Sequence, residues 1–220
     1  KVWGIGRQYQ KMLLRNQIDN ALIFSQLDEH WVKKNMTVAG HRIQRELNGE
    51  PCIMFEQVPK AKKAIATTRA FGKKLTDKDT IKEAIATHAV RCAEKLRKQH
   101  SSANLLTLFI HTDPFSETEK FYYKSQTVIL EVASNDNVLL VKAAFKALDK
   151  IFKQGLLYKK VGVIVDGIVP ENQLQGNLFY EKDMERHNII SAVSDSINRR
   201  YGRDTLKLAA QGKGKEWKLR

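Results

Sequence analysis

Thr76-Asp77-Lys78-Asp79-Thr80-Ile81-Lys82-Glu83-Ala84-Ile85-Ala86-Thr87-His88-Ala89-Val90-Arg91-Cys92-Ala93-Glu94-Lys95-Leu96 decides the fold. Ile81, Ile85, His88, Cys92 and Leu96 recur at spacings of three and four, which puts them on one face of a helix. Thr76, with Asp79 three residues on, is the expected start. Upstream, Ala64 to Lys73 is rich in β-formers and predicts a strand. Downstream, strands are expected over Leu105 to Thr112 and over Lys124 to Ala133, where Val128, Leu130 and Val132 alternate. A second helix is predicted from Val138 to Gln154, with Val141, Ala144, Phe145, Leu148 and Ile151 inward and Gly155 at its stop. Val161, Val163 and Val165 mark a last strand ending at Asp166. The order β-α-β-β-α-β is a split βαβ pattern, with two helices on one face of a four-stranded sheet and the other face free.

Residues 1–49 read as a separate all-α unit. Arg7 to Arg15 predicts one helix, with Met12 and Leu13 inward. Asp19 is the expected cap of a second carrying Leu22, Ile23 and Leu27. Thr37 is the expected cap of a third, with Ile43 and Leu47 on one face and Gly49 past its end. The fold class is therefore α+β. Residues 50–63, with Pro51 and Pro59 and a basic run, read as a linker. The βαββαβ domain is expected over 64–170 and a C-terminal extension over 171–220. In that extension Met184 to Arg200 predicts a helix using Ile189, Ile190, Val193 and Ile197, and Thr205 to Ala209 a short strand.

With 38 Lys and Arg against 24 Asp and Glu, the formal net charge is +14. Such a field attracts polyanions and says nothing of fold, so nucleic acid is the leading partner. No apolar run approaches the roughly 18 residues that span a bilayer, so no membrane role is expected. The first residues show no signal-peptide pattern and enter a motif at once, and the chain reads as an internal fragment. Cys52 and Cys92 belong to no Cys/His cluster, which argues against zinc and suits a reducing cytoplasm. Cys92 and His88, on the apolar helix face, are expected as a packing thiol and a satisfied core residue.

Three stretches carry candidate chemistry. In Val2-Trp3-Gly4-Ile5-Gly6-Arg7, two glycines before a basic helix suit the hairpin of a helix-hairpin-helix unit. Backbone N–H groups at such a helix start bind a phosphate without reading sequence. An ordinary glycine turn fits the same residues. In Thr67-Thr68-Arg69-Ala70-Phe71-Gly72-Lys73-Lys74, alternate residues share a face, so Thr67, Arg69 and Phe71 point one way and Thr68 and Ala70 the other. A hydroxyl, a guanidinium and nearby backbone N–H groups suit a phosphate track, which Lys124-Ser125 extends; a solvated edge strand is the plain alternative. In Gln175-Gly176-Asn177-Leu178-Phe179, an apolar pair after a glutamine suits a peptide docking in a partner's pocket, unless Phe179 folds back on its own domain.

The missing features narrow the function. Two-metal phosphoryl transfer needs clustered carboxylates, and Asp28-Glu29 sits in a helix turn rather than beside an apolar strand. The chain has no Walker-type loop and no GxSxG, and its histidines show no metal-ligand spacing. No catalytic residue, metal site or cofactor is expected in this chain. An RNA-recognition-type sheet, which stacks bases on paired aromatics of adjacent strands, is the alternative binding module; only Arg69-Ala70-Phe71-Gly72 suggests it.

Collinear blocks resemble one family. They are Val2-Trp3-Gly4-Ile5-Gly6-Arg7, Glu46-Leu47-Asn48-Gly49-Glu50-Pro51-Cys52, Arg69-Ala70-Phe71-Gly72, Ala93-Glu94-Lys95-Leu96-Arg97 and Phe109-Ile110-His111-Thr112-Asp113-Pro114-Phe115. Asn177-Leu178-Phe179 and Thr205-Leu206-Lys207-Leu208-Ala209-Ala210-Gln211-Gly212 continue the series. In order, they resemble the C-terminal half of Y-family translesion DNA polymerases of the UmuC type, the catalytic subunits of DNA polymerase V. The resemblance implies a thumb over 1–49 and, over 64–170, a little finger that grips primed or damaged duplex DNA across the major groove. It implies DNA-binding roles for Gly4, Gly6, Arg7, Thr67, Thr68, Arg69, Lys73, Lys74, Lys124 and Ser125. It also implies a sliding-clamp peptide of the form Gln-Leu-x-Leu-Phe. Gln175, Leu178 and Phe179 fit that form at its first, fourth and fifth positions, while Gly176 replaces the second-position leucine. Accessory subunits of the UmuD type and a bacterial, nucleoid-associated setting in DNA repair and the SOS response follow from the same resemblance. The family's palm, with its Mg²⁺ ligands, lies upstream of the matched part, so this segment alone is expected to be inactive.

Overall fold

The structure is a computed structural model that describes residues 2–52, 60–173, 184–214 and 217. Residues 53–59 of the expected linker, and Gln175, Leu178 and Phe179, lie outside the described residues. The chain divides into two compact units, Lys1–Lys60 and Ala61–Arg220.

The first unit holds α1 (Arg7–Arg15), α2 (Ala21–Ser25) and α3 (Glu29–Leu47). Leu13, Ile18, Phe24, Val32 and Met36 form its core. The caps differ from those expected. Asn20, not Asp19, caps α2 by accepting from the Ile23 N–H at 3.0 Å. Asp28 starts α3 by accepting from the Trp31 N–H at 2.8 Å, so this helix begins well before Thr37. Thr37 lies inside α3 at φ 60°, ψ −171°, which divides it into two halves at a kink. Its hydroxyl accepts from the Ala39 N–H at 3.4 Å and so caps the second half. Positive φ at a β-branched residue is strained backbone, held here by the packing on either side.

The second unit is α+β, as the hydrophobic periods predict. Its elements are β1 (Ile65–Leu75), α4 (Lys78–Lys98), β2 (Ser101–Thr112), β3 (Tyr123–Ser134), α5 (Asn137–Ile151), β4 (Tyr158–Pro170) and α6 (Met184–Tyr201). The four strands form one antiparallel sheet in the order β1-β4-β2-β3. Both βαβ connections therefore skip a strand, β1 to β2 across β4 and β3 to β4 across β2. Asp77, rather than Thr76, caps α4, with its carboxylate 2.7 Å from the Thr80 N–H and 2.6 Å from the Thr80 hydroxyl. Asp136 caps α5 through the Leu139 N–H at 2.8 Å.

One face of the sheet takes both helices. Phe71 of β1, Leu106, Leu108 and Ile110 of β2, and Val161, Val163 and Val165 of β4 meet Ile81, Ile85 and Leu96 of α4 and Leu140, Ala144 and Leu148 of α5. Each large aliphatic side chain fully buried there contributes about 2 kcal/mol. Cys92 is a buried thiol, as expected, and its burial raises its pKa.

The C-terminal segment departs further from the sequence reading. Ile189, Ile190 and Val193 of α6 are exposed, and Ser191 is buried instead. A bidentate ion pair ties α6 down: Arg97 Nε and Nη2 lie 2.7 and 2.8 Å from the Asp195 carboxylate. Arg97 Nη1 also donates to the Asn135 carbonyl at 2.6 Å. Thr205 to Ala209 is not a strand. Thr205 turns its hydroxyl back to the Gly202 carbonyl, and Ala209–Gln211 is a 3₁₀ turn. Removing the guanidinium strands a partly buried carboxylate and a carbonyl, so Arg97→Met is expected to cost about 2–3 kcal/mol in urea unfolding. An unchanged midpoint would mean that α6 is held by other contacts.

Candidate nucleic-acid interface

The strand register assigns each side chain to a face. Thr67, Arg69 and Phe71 share a face, as their alternation predicts, but it is the helix-bearing one. Thr67 Oγ1 lies 3.4 Å from Cys92 Sγ, Arg69 is opposite buried Val161, and Phe71 is fully buried. Because β1 is an edge strand, Arg69 still reaches solvent past α4. Thr68 points to the other, open face, opposite Gly162. Lys73 is exposed, and Lys74 is held in an ion pair with Glu119 at 2.8 Å.

Lys124 and Ser125 lie on β3, the opposite edge. Lys124 is opposite Ile110 and so leans to the helix side; Ser125 is opposite Phe109 and lies on the open face. Arg69 and Lys124 therefore do not form one continuous track. Three strand spacings, about 14 Å, separate their strands.

No described element of this unit covers the open face. Its centre is aromatic: the Phe109 ring lies 6.4 Å from that of His111 and 6.2 Å from that of Tyr123, and the Lys160 ammonium sits 6.0 Å over Phe109. Gly162 lies beneath, because a Cβ there would collide with Phe109 and Thr68. This platform is legible in the sequence as the alternation Leu105, Thr107, Phe109, His111. Tyr123 joins it only through the β2–β3 register, which the sequence alone does not specify.

In the first unit, Gly4 adopts φ +85°, which favours glycine, and a Cβ there would also press on the tip of the Ile43 side chain, at 2.7 Å. Gly6 is extended, with open space around it, and precedes α1 without a side-chain cap. Arg7 is exposed in the first turn. Helix α1 follows this glycine turn directly.

Along the free side of β1, two α4 residues not singled out from sequence stand beside Arg69. Lys95 Nζ donates to the Ala66 carbonyl at 3.2 Å and the Thr67 hydroxyl at 3.1 Å. Arg91 is half-buried one helical turn earlier. Between them and the sheet lies His88, 1% exposed, with no hydrogen-bond partner on either ring nitrogen among the described residues. It is buried as expected but not satisfied. Trp217 meets it edge-on at 5.6 Å, and the Trp217 carbonyl accepts from the Gly72 N–H at 3.1 Å. Burial first, and then the charges of Arg91, Arg69 and Lys95, push the His88 pKa down to about 4.

Comparison with known proteins bears on this geometry. Residues 62–178 match the impB/mucB/samB family C-terminal domain. The chain belongs to this family. A domain of unknown function matches residues 190–220. Protein UmuC of Salmonella typhimurium is 34% identical over 220 residues, which is 100% of this chain and 52% of that protein. Protein SamB of the same species is 34% identical over 221 residues, with the same shares. Protein MucB of Escherichia coli is 34% identical over 214 residues, 96% of this chain and 50% of that protein. The chain thus spans about half the length of the curated relatives it matches. The resemblance to the C-terminal part of UmuC-type proteins holds along the whole chain, and a module without that parentage is set aside.

Neutral burial of His88 links folding to pH. The unfolded imidazole protonates below about 6.5, whereas the folded one stays neutral down to about 4. Within that window the unfolded state binds more protons, so stability falls as pH falls, by about 1.4 kcal/mol per pH unit at most. His88→Leu is expected to flatten the dependence of the urea midpoint on pH between 6.5 and 4. An unaltered slope would assign the acid sensitivity to other groups.

Proposed function

We propose that this chain is the DNA-gripping C-terminal part of a translesion DNA polymerase and holds duplex DNA by its phosphates. Family membership supports the parentage. The observation that carries the grip is the bare sheet face between two edge strands whose exposed cations, Arg69 and Lys124, leave the strands toward the helix side at the two rims. The edges are about 14 Å apart, close to the roughly 12 Å opening of the B-DNA major groove. Laid across that groove, the sheet brings Arg69 and Lys73 of β1 to one sugar-phosphate rail and Lys124 and Ser125 of β3 to the other. The aromatic centre, with Thr68 beside it, then faces the groove floor, where apolar contact tolerates many sequences. Thr67 serves from behind, through its bond to Lys95.

In the first unit, Gly4, Gly6 and Arg7 present the start of α1 to a primer-side phosphate, in the manner of a helix-hairpin-helix. Residues 1–49 act as the thumb, 50–63 as the linker and 64–170 as the little finger. In the extension over 171–220, Gln175, Leu178 and Phe179 tether the polymerase to the sliding clamp. The nucleotide site and its Mg²⁺ belong to the remainder of the parent enzyme, and UmuD-type subunits to its assembly in the SOS response.

Binding of a short duplex is expected to weaken with salt. Arg69→Glu and Lys124→Glu each lower the steepness of the log–log dependence by about 0.9 for every phosphate no longer neutralised. Both weaken binding to unrelated sequences alike; an effect confined to one sequence would mean base readout. For the tether, Leu178→Ala/Phe179→Ala is expected to abolish binding to a purified clamp ring, and equal affinity of the variant removes that role.

A further inference from the structure

His88, Arg91, Cys92 and Lys95 lie at i, i+3, i+4 and i+7 of α4, and so on the flank that packs against β1. Cys92 and His88 are buried; Arg91 and Lys95 rim them on the outside, where Arg69 arrives from the strand. The placement follows from two observed contacts: Cys92 Sγ meets Thr67 Oγ1, and Lys95 Nζ bonds the Ala66 carbonyl and Thr67 hydroxyl. Arg69, two residues along the strand on the same face as Thr67, then lies beside the preceding turn of α4, where His88 and Arg91 are. All three cations act on the His88 ring, in keeping with their convergence there.

Among the described residues this gathering is poorly neutralised. Among the described residues, the one carboxylate within ion-pair range is that of Asp204, 3.9 Å from Arg91 Nη2 and on the outer margin. Arg91 Nε is buried and has no hydrogen-bond partner among the described residues, and the two His88 nitrogens share that condition. Lys95 uses two of its three ammonium donors on the strand and keeps the third. A cluster that serves only folding is expected to pair its charges, because like charges crowded together repel and buried donors left without a partner are destabilising. Here the fold retains a half-buried guanidinium, Arg91, beside two exposed cations at an exposed strand edge.

We propose that Arg69, Arg91 and Lys95 form one anion site at the junction of α4 and β1, built to take a backbone phosphate of nucleic acid. A tetrahedral oxyanion bearing several acceptors suits the guanidinium forks of Arg69 and Arg91 and the remaining Lys95 donor. Nothing in the site reads a base, so the contact fixes position and not sequence. The inference rests on the reading that the β1 edge meets DNA, and it extends the rail contacts of Arg69 from the strand onto the helix behind it.

The test is fluorescence anisotropy of a labelled mixed-sequence duplex with the 220-residue chain, titrated across about 50–200 mM salt. Arg91→Ala/Lys95→Ala is expected to lower the log–log slope by about 0.9, the loss of one phosphate contact, and Lys95→Gln alone by a part of that. Lys142→Ala/Lys146→Ala, which removes two exposed charges from α5, is expected to leave the slope unchanged. If the α4 double variant fails to fold by circular dichroism, the exposed Lys95→Gln change decides the matter. A slope equal to wild type in the α4 variants overturns this site while the duplex reading stands. An equal drop in the α5 control overturns it in favour of a diffuse field. A wild-type slope near zero overturns the duplex reading itself.

Discussion

The insertion of β4 between β1 and β2 fixes what this domain presents to a partner. β1 and β2 run parallel and are joined by α4, but they do not pair; β4 fills the gap antiparallel to both. The same holds for β3 and β4 around β2. Right-handed crossovers of this kind put both connecting helices on one side, and the other side stays bare of described elements. The interleaving also pushes β1 and β3 to the two rims. Residues far apart in sequence, such as Arg69 and Lys124, thereby become the two flanks of one surface rather than neighbours on a line.

Helix α4 connects stability to that surface. Its apolar stripe drives the packing, and continuing the stripe through position 88 requires an imidazole kept dry and neutral. The buried histidine is tolerable because neutral imidazole desolvates at moderate cost and because Trp217 supplies an edge-on aromatic contact in place of a hydrogen bond. Arg91 and Lys95, at the margin of the stripe, are carried along to the rim with it. The same helix that fills the core thus sets the height at which its cations stand beside β1.

The elements themselves are legible in the sequence because their periods are clean: two in the strands, three to four in α4 and α5. Strand ends read short by up to several residues, since Ser101-Ser102 and Tyr158 extend pairing without an apolar alternation. Caps are ambiguous where two candidates adjoin, as at Thr76 and Asp77 or Asp19 and Asn20, because which side chain reaches the third N–H is a matter of backbone angle and not of residue type. The facing of β1 is the larger gap. Alternation says that Thr67, Arg69 and Phe71 share a side but not which side, and only the burial of Phe71 against α4 decides it. Exposed Ile189, Ile190 and Val193 in α6 show the converse, an apolar pattern that the fold does not use for its own core.

The C-terminal stretch completes the same unit instead of standing apart from it. Arg97 clamps α6 through Asp195, Asn198 exchanges hydrogen bonds with Leu206 in both directions, and Trp217 returns to the core beside His88. That return falls where β1 is irregular: register shifts between Ala70 and Leu75, and Gly72 gives its N–H to Trp217 rather than to β4. An exposed edge strand invites pairing with another chain, and proteins blunt such edges with bulges, charges or a covering segment. β1 has all three: the bulge and the returning tail near Gly72, and Arg69 and Lys73 flanking them. Among the described residues the protection stops short of residues 66–70, whose outward side is guarded by Lys95. There the exposed charges of Arg69 and Lys95 discourage pairing with another strand.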